Sequence, residues 1–497
     1  MKKLFIILIA LCAITSTAVA GEKVDRPKLV VGLVVDQMRW DYLYYYYEDY
    51  GEGGLKRLLK EGFSCENTMI PYIPTITAIG HTSVYTGSTP ALHGICGNDF
   101  FIDGKAVYCC GDSTVKSVGS NSKKGQMSPR NMLATTIGDE LKIGTNWKSK
   151  VIGVALKDRA AILPAGHSAD AAYWWDSSVG HYVTSTYYMD KLPAWVEKFN
   201  KENQTDPKFD IKDSDKGVTM TFKMAEAVLD NEHLGQRGET DMIAVSVSST
   251  DIIGHRVGTR GPENKSVYLQ LDREVAQFLN KLDQQVGKGN YLLFLTADHG
   301  GAHNYNYLKE HKIPGGGLAP WKISKALNEH LSTLHPGAGN LILGEHSLRF
   351  YLDYDNIEKA GLDIQKVKQE AIAWLKKDRR FLQVIDFEQA ATAPLPKLIR
   401  ERICNGYHYG RSGDIYAVAR SQYIGTEDSP TYKGTTHGSW NPYDAHIPAV
   451  FFGWHVEHGS TSTPTYMTDI APTICEMLHV EMPNACIGNA INEVVNP

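Results

Sequence analysis

The sequence predicts an α/β protein: a doubly wound, mostly parallel sheet with helices on both faces and a small inserted α+β subdomain. Three observations predict it. Five short apolar runs, at 29–35 (LVVGLVV), 151–156 (VIGVAL), 242–248 (MIAVSVS), 291–295 (YLLFL) and 448–452 (PAVFF), are continuous rather than alternating, as strands buried on both faces require. Helical patterns, as at 131–142 and 265–282, fall between them. The stretch 303–430 has another texture: SLRFYLDYD, a charged helical segment at 363–377, FLQVIDF and GDIYAVAR read as strand, helix, strand and strand. The expected organisation is an export signal at 1–20, a core in two parts (21–302 and 431–497), and the insert at 303–430. Long Gly/Ser-rich and aromatic loops, YWWD at 173–176 included, are expected within 100–230.

The N-terminal stretch MKKLFIILIALCAITSTAVA has two lysines, a short apolar run and a small-x-small end, Ala18-Val19-Ala20. That is the pattern of a cleaved secretory signal rather than a membrane span, and no later stretch is long and apolar enough to cross a bilayer. The expected product is exported, periplasmic or secreted, without stable membrane insertion. Losing Lys2 and Lys3 takes the formal charge from −5 to −7, which gives no support for a nucleic-acid partner. Of eight cysteines, seven remain after Cys12 leaves, so at least one thiol is unpaired. Cys109-Cys110 and the Cys475/Cys486 pair are candidates for bridges. No CxxC pair suggests a zinc ribbon.

The chemistry-bearing residues follow the strands. Asp36 follows the first run; Asp251 and His255 follow the 242–248 run; Asp298 and His299 follow the 291–295 run. Ligands of open α/β sheets bind outside the carboxyl ends of the strands, so one edge collects three aspartates and two histidines. Singly, each has a plain structural reading: Asp36 as a helix cap, D-x-x-x-H as chance, Asp-His-Gly-Gly as a turn. Mixed Asp/His ligands suit zinc, and so many suit two ions about 4 Å apart. The segment TITAIGHTSVYTG (75–87) offers hydroxyl nucleophiles, namely Thr75, Thr77, Thr82 and Ser83, with a short helix expected at 82–86 before Gly87. The alternative is one capping hydroxyl and exposure of the others. After the VIGVAL strand, Lys157-Asp158-Arg159 read as extended would put Lys157 and Arg159 on one side, where two cations suit a phosphoryl dianion.

These residues resemble the alkaline phosphatase superfamily, above all its branch of PafA-type phosphomonoesterases, with the nucleotide pyrophosphatase/phosphodiesterases as near relatives. The resemblance runs in order over 29–453, through LVVGLVVDQMRWDYL, PTITAIGHTSVYTGSTPALHGICGNDFF, LKDRAAILPAGH, DIIGHRVG, TADHGG and THGSWNPYDAHIPAVFFG. It implies an alkaline-phosphatase-like fold and an enzyme that hydrolyses small-molecule phosphate monoesters, holds two Zn2+ per chain and is inhibited by phosphate. It implies Thr77 as nucleophile, forming a phosphothreonine. One zinc would take Asp36, Asp298, His299 and the Thr77 oxygen; the other would take Asp251, His255 and His437. Nothing in the spacing singles out His437 among eighteen histidines. Asn98, Lys157 and Arg159 would bind the phosphoryl group, the last two marking the monoesterase branch. Where the phosphodiesterases carry Phe-Pro-Asn before the histidine, this chain has Ala78-Ile79-Gly80.

The alternatives are a phosphodiesterase or nucleotide pyrophosphatase of the same superfamily, and a non-catalytic secreted binding protein that keeps the fold. A sulfatase lacks support because no C/S-x-P-x-R motif occurs. A phosphoglycerate mutase fits poorly with an export signal.

Overall fold

The computed structural model describes residues 24–496; the expected signal at 1–20 lies outside them. A ten-stranded sheet runs through the main body. Its centre is the strand Leu29–Val35, flanked in parallel by Asp241–Val247 on one side and Tyr291–Thr296 on the other. Val151–Ala155 and then Ala171–Asp176 extend it in parallel; Ala449–Gly453 pairs antiparallel beyond Tyr291–Thr296. All five apolar runs are therefore strands, buried along their lengths as continuous hydrophobicity demands. Helices such as Pro262–Leu282 and Asp215–Glu232 cover the sheet, with Val267, Leu271, Val275, Phe278 and Val228 in its core. This is the mixed α/β architecture expected.

A second, four-stranded antiparallel sheet is formed by Ile342–His346, Arg349–Leu352, Ile415–Ala419 and Phe381–Asp386. It packs with helices Pro320–Leu334 and Ile364–Leu375 around its own core, which includes Phe350, Val367, Leu375 and Val384.

Four local expectations are corrected. YWWD is not loop: Ala171–Asp176 is a buried strand whose side chains alternate, Tyr173 and Trp175 into the main core and Trp174 into a second cluster behind it. The helix expected from 131 begins at Ile137, because Thr136 caps it in a box with Asp139. The helix expected over 82–86 is Thr77–Thr86, ended by Gly87 at φ 62°. Residues 158–159 are not extended, since Asp158–Ala165 is helical with Lys157 at its N-cap. The seven cysteines among the described residues are all free thiols, so none of the considered bridges is formed.

Register positions the site. Val35 lies opposite Val247, Val34 opposite Thr296, and Ser246 opposite Ala155. The residues after these positions therefore emerge side by side at one edge. The helix Thr77–Thr86 lies against the sheet there, and two glycines permit it. A Cβ on Gly32 would sit 2.1 Å from Tyr85 Oη, and one on Gly80 would sit 2.2 Å from the Asp298 carbonyl oxygen. The Ala-Ile-Gly of this chain thus serves close contact between the helix and the strand-end turn.

Candidate active site

Of the hydroxyls at 75–87, most are committed to structure, and all are buried rather than exposed. Thr82 donates to the Ala78 carbonyl and Thr86 to the Thr82 carbonyl. Ser83 pairs with His93 Nε2, and Thr75 donates to the Ser439 carbonyl while accepting from Gly438 N–H. Thr77 differs. Its Oγ1 makes a long 3.4 Å contact to His299 Nε2 and, among the described residues, serves no backbone group. It stands at the first turn of its helix, where backbone N–H groups are unpaired and negative charge is favoured.

Three imidazoles are fixed in one tautomer. Nδ1–H of His255 donates to the Thr435 carbonyl (2.9 Å), that of His299 to Gly300 (2.9 Å), and that of His437 to Thr75 (2.6 Å). Each Nε2 then faces carboxylate oxygen. His299 Nε2 lies 3.5 Å from Asp36 Oδ1 and 3.3 Å from Asp298 Oδ2. His255 Nε2 lies 3.1 Å, and His437 Nε2 3.6 Å, from Asp251 Oδ1. Lone pairs facing lone pairs at this range need a proton or a metal ion between them. Asp36 Oδ1 and Asp298 Oδ2 are buried without a hydrogen-bond partner, as metal-ligand oxygens are. Two groups have ligand atoms mutually within 4.8 Å and could hold a metal ion: Asp251, His255 and His437; and Asp36, Asp251 and His299. The donor set fits zinc, which takes both imidazole nitrogen and carboxylate oxygen.

The electrostatics centre on Lys157. Its Nζ lies 2.6 Å from both Asp36 Oδ2 and Asp251 Oδ2. Burial and the neighbouring Asp251 and Asp298 push the Asp36 carboxyl well up, against Lys157. Burial pushes Asp251 up as well, but His255 and Lys157 outweigh it and hold this carboxyl well below its ordinary range. Burial lowers His299, and burial with the His299 neighbour lowers His437 well below the usual value, so both are neutral lone-pair donors. Burial lowers His255 too, but Asp251 outweighs it and raises it.

Asn98 stands at the start of the Thr77 helix. Its Oδ1 accepts from Ala78 N–H at 3.1 Å, leaving its NH2 to donate elsewhere. The segment from Asp158 is helical, so the extended alternation expected for Lys157 and Arg159 does not hold. Arg159 lies in the first helical turn, its Nη1 3.2 Å from the Tyr108 hydroxyl, which also donates to Asp158. Asp36, Thr77, Lys157, Asp251, His255, Asp298, His299 and His437 thus converge, with Asn98 in the bend before the strand Asp99–Ile102 and Arg159 in the first turn of a helix.

Sequence reasoning missed Gln37 and Ser246. Gln37, at a left-handed φ of 63°, donates from Nε2 to Asp251 and from its backbone N–H to Asp298. Ser246 donates to His81 Nε2, while His81 Nδ1–H holds the Thr77 carbonyl. The adjacency of Gln37 to Asp36 was the available signal for the first; Ser246 carried none.

Comparison with known proteins agrees with this geometry. Residues 30–440 match the family described as type I phosphodiesterase / nucleotide pyrophosphatase. The chain belongs to this family. Alkaline phosphatase PafA of Elizabethkingia meningoseptica is 42% identical, with 95% of each chain covered. A crystal structure of alkaline phosphatase PafA superimposes with a TM-score of 0.91 at 41% identity, covering 96% of this chain and all of that one. A Myroides odoratus protein named calcium-transporting ATPase is 46% identical over 98% of both chains. Within the type I phosphodiesterase / nucleotide pyrophosphatase family, the chain is an enzyme on the alkaline phosphatase side, a phosphatase of that superfamily.

Proposed function

We propose that the protein is an exported, zinc-dependent phosphatase that hydrolyses phosphate monoesters through a phosphothreonine on Thr77. The observation that carries this reading is the Thr77 hydroxyl, free of structural duty and within 3.4 Å of His299 Nε2 at the meeting point of the imidazoles and carboxylates. Asp36, Thr77, Asp298 and His299 would hold one zinc, and Asp251, His255 and His437 the other. When bound, the ions supply Lewis acidity that lowers the pKa of a hydroxyl or water and offsets charge on oxygen.

The chain's own residues do the rest. Thr77 Oγ attacks phosphorus, its proton passing to solvent; the bond to the leaving oxygen breaks, and that oxygen departs as an alcohol after taking up a proton. Water then attacks the phosphothreonine, the P–Oγ bond breaks, and inorganic phosphate and the hydroxyl are regenerated. The Asn98 NH2, Lys157 and Arg159 face the charge on the transferring oxygens, where positioning and electrostatics supply most of the catalysis. His81 holds the first turn of the helix through the Thr77 carbonyl.

Two cations favour a monoester dianion over a diester, which carries one charge fewer and an extra substituent. Diester or pyrophosphate hydrolysis is the second reading, supported by the family match over residues 30–440. Among the described residues no helix is long and apolar enough to cross a membrane. The test compares hydrolysis of an aryl phosphate monoester with that of the corresponding diester. Preference for the monoester, with inhibition by free phosphate, supports the proposal, and preference for the diester overturns it.

A further inference from the structure

We propose that the inserted four-stranded unit holds the Asn98 amide in place, and that its buried Arg349 is the positioning residue. This rests on the reading above, in which the Asn98 NH2 faces the transferring phosphoryl group. The segment that carries Asn98 is gripped from the insert along its length. Arg411 Nη1 donates to the Gly94 carbonyl at 2.8 Å and to the Asn131 carbonyl at 2.7 Å. The Ser412 hydroxyl donates to Cys96 Sγ at 3.4 Å. At Gly97 a Cβ would stand 3.1 Å from Arg349 Nη2, so the backbone just before Asn98 rests against the guanidinium. Asn98 itself is tied to the core: its Oδ1 accepts from Ala78 N–H, and its carbonyl accepts from Cys109 N–H at 2.8 Å. It therefore sits between the insert on one side and the first turn of the Thr77 helix on the other.

Stability does not account for an arginine at 349. The residue opens the strand Arg349–Leu352 and is fully buried. Its Nε donates to the His346 carbonyl at 3.0 Å, but among the described residues neither Nη1 nor Nη2 has a hydrogen-bond partner. Burying a charge costs desolvation that one neutral acceptor does not return, and an apolar side chain of similar volume is often as stable or more so in such a place. A long, planar side chain behind the Gly97–Asn98 turn has a use of another kind. It sets how close the Asn98 backbone stands to Ala78, and a donor to a reacting group has to be held within about 0.5 Å of its productive place. Arg411 and Ser412 fix the approach to the turn, and Arg349 fixes the turn.

The test is a double-mutant cycle on kcat/KM for phenyl phosphate, with wild type, Arg349→Met, Asn98→Ala and the pair. Arg349→Met is expected to keep the wild-type metal content and to lose about tenfold in kcat/KM. In the Asn98→Ala background the same change should cost less than about twofold, because the group that Arg349 positions is gone. If Arg349→Met does not fold, Arg411→Gln, which frees the same segment at Gly94 from a half-buried side chain, takes its place in the cycle with the same expectation. An unchanged rate, a loss of metal, or an equal fall in both backgrounds overturns the proposed role of the insert and leaves the phosphatase standing. If Asn98→Ala alone keeps the wild-type rate, the reading of Asn98 fails and this inference with it. If wild type leaves phenyl phosphate intact, the phosphatase reading itself fails.

Discussion

The imidazole of His437 lies face to face with that of His299, ring centroids 3.4 Å apart and planes 15° from parallel. Two imidazolium cations would repel in this arrangement; two neutral rings stack. Each ring has its Nδ1–H tied to a carbonyl and presents Nε2 to a different carboxylate, His299 to Asp36 and Asp298, His437 to Asp251. We read the stacked pair as the partition between the two proposed ligand sets, with Asp251 close enough to serve either.

The partition predicts two metal ions. Elemental analysis of purified protein is expected to give two zinc per chain, and chelation to abolish turnover until zinc is returned. Full activity at one equivalent, or at none, contradicts the two-set arrangement.

Thr77→Ala is expected to remove most turnover and the phosphorylated intermediate, measured by mass spectrometry after acid quench, while the melting temperature changes little because Oγ1 supports no backbone group. Thr75→Ala is the contrasting variant. It removes two part-buried hydrogen bonds to the His437 loop, so a loss of about 1–2 kcal/mol of stability is expected, with a phosphoenzyme that still forms.

Removing both Lys157 and Arg159 by alanine should cut monoester hydrolysis far more than any diester side activity, narrowing the ratio. Loss of one preorganised contact to a transferring group typically costs ~3–4 kcal/mol, or roughly 10²–10³ in rate. Equal loss on both substrates would show instead that Lys157 acts only by holding Asp36 and Asp251.

Gly80→Ala should be harmful although alanine favours helices. The added methyl meets the Asp298 carbonyl oxygen at 2.2 Å, and backbone cannot swing aside. A loss of roughly 1–3 kcal/mol in stability is expected. A larger proportional fall in kcat should accompany it, because the helix that carries Thr77 moves away from Asp298.

Asp444 gives a pH dependence. Burial raises its carboxyl to about 7, against a Ser439 hydrogen bond and the Arg39 charge, and its Oδ1 has no partner. A raised folded-state pKa gives stability that is full below the unfolded value near 4 and is lost as pH rises through about 7. Asp444→Asn removes that loss. Its melting temperature relative to wild type should therefore climb from pH 5 to pH 8, by at most ~3 kcal/mol in free energy. A difference that stays flat with pH would mean the carboxyl ionises normally.

The five buried strands and the acids and imidazoles that follow them were legible from local pattern alone, because a strand covered on both faces has to be apolar throughout and its polar exits are local to the chain. Asp36, Asp251, His255, Asp298 and His299 were legible for that reason. Four decisions belonged to tertiary structure. Thr77 was separated from Thr75, Thr82 and Ser83 only by the carbonyls and the His93 ring that occupy the others. His437 reached the site through its stack on His299, a contact with no sequence spacing. Lys157 meets two carboxylates from the N-cap of a helix that begins at Asp158, where an extended segment was expected. The aromatic run 173–176 became a strand because two separate cores, one on each face, were there to receive alternate rings. Periodicity records how much of a segment is buried; what it is buried against is fixed by partners distant in the chain, and the choice of nucleophile and of ligand set is a property of those partners.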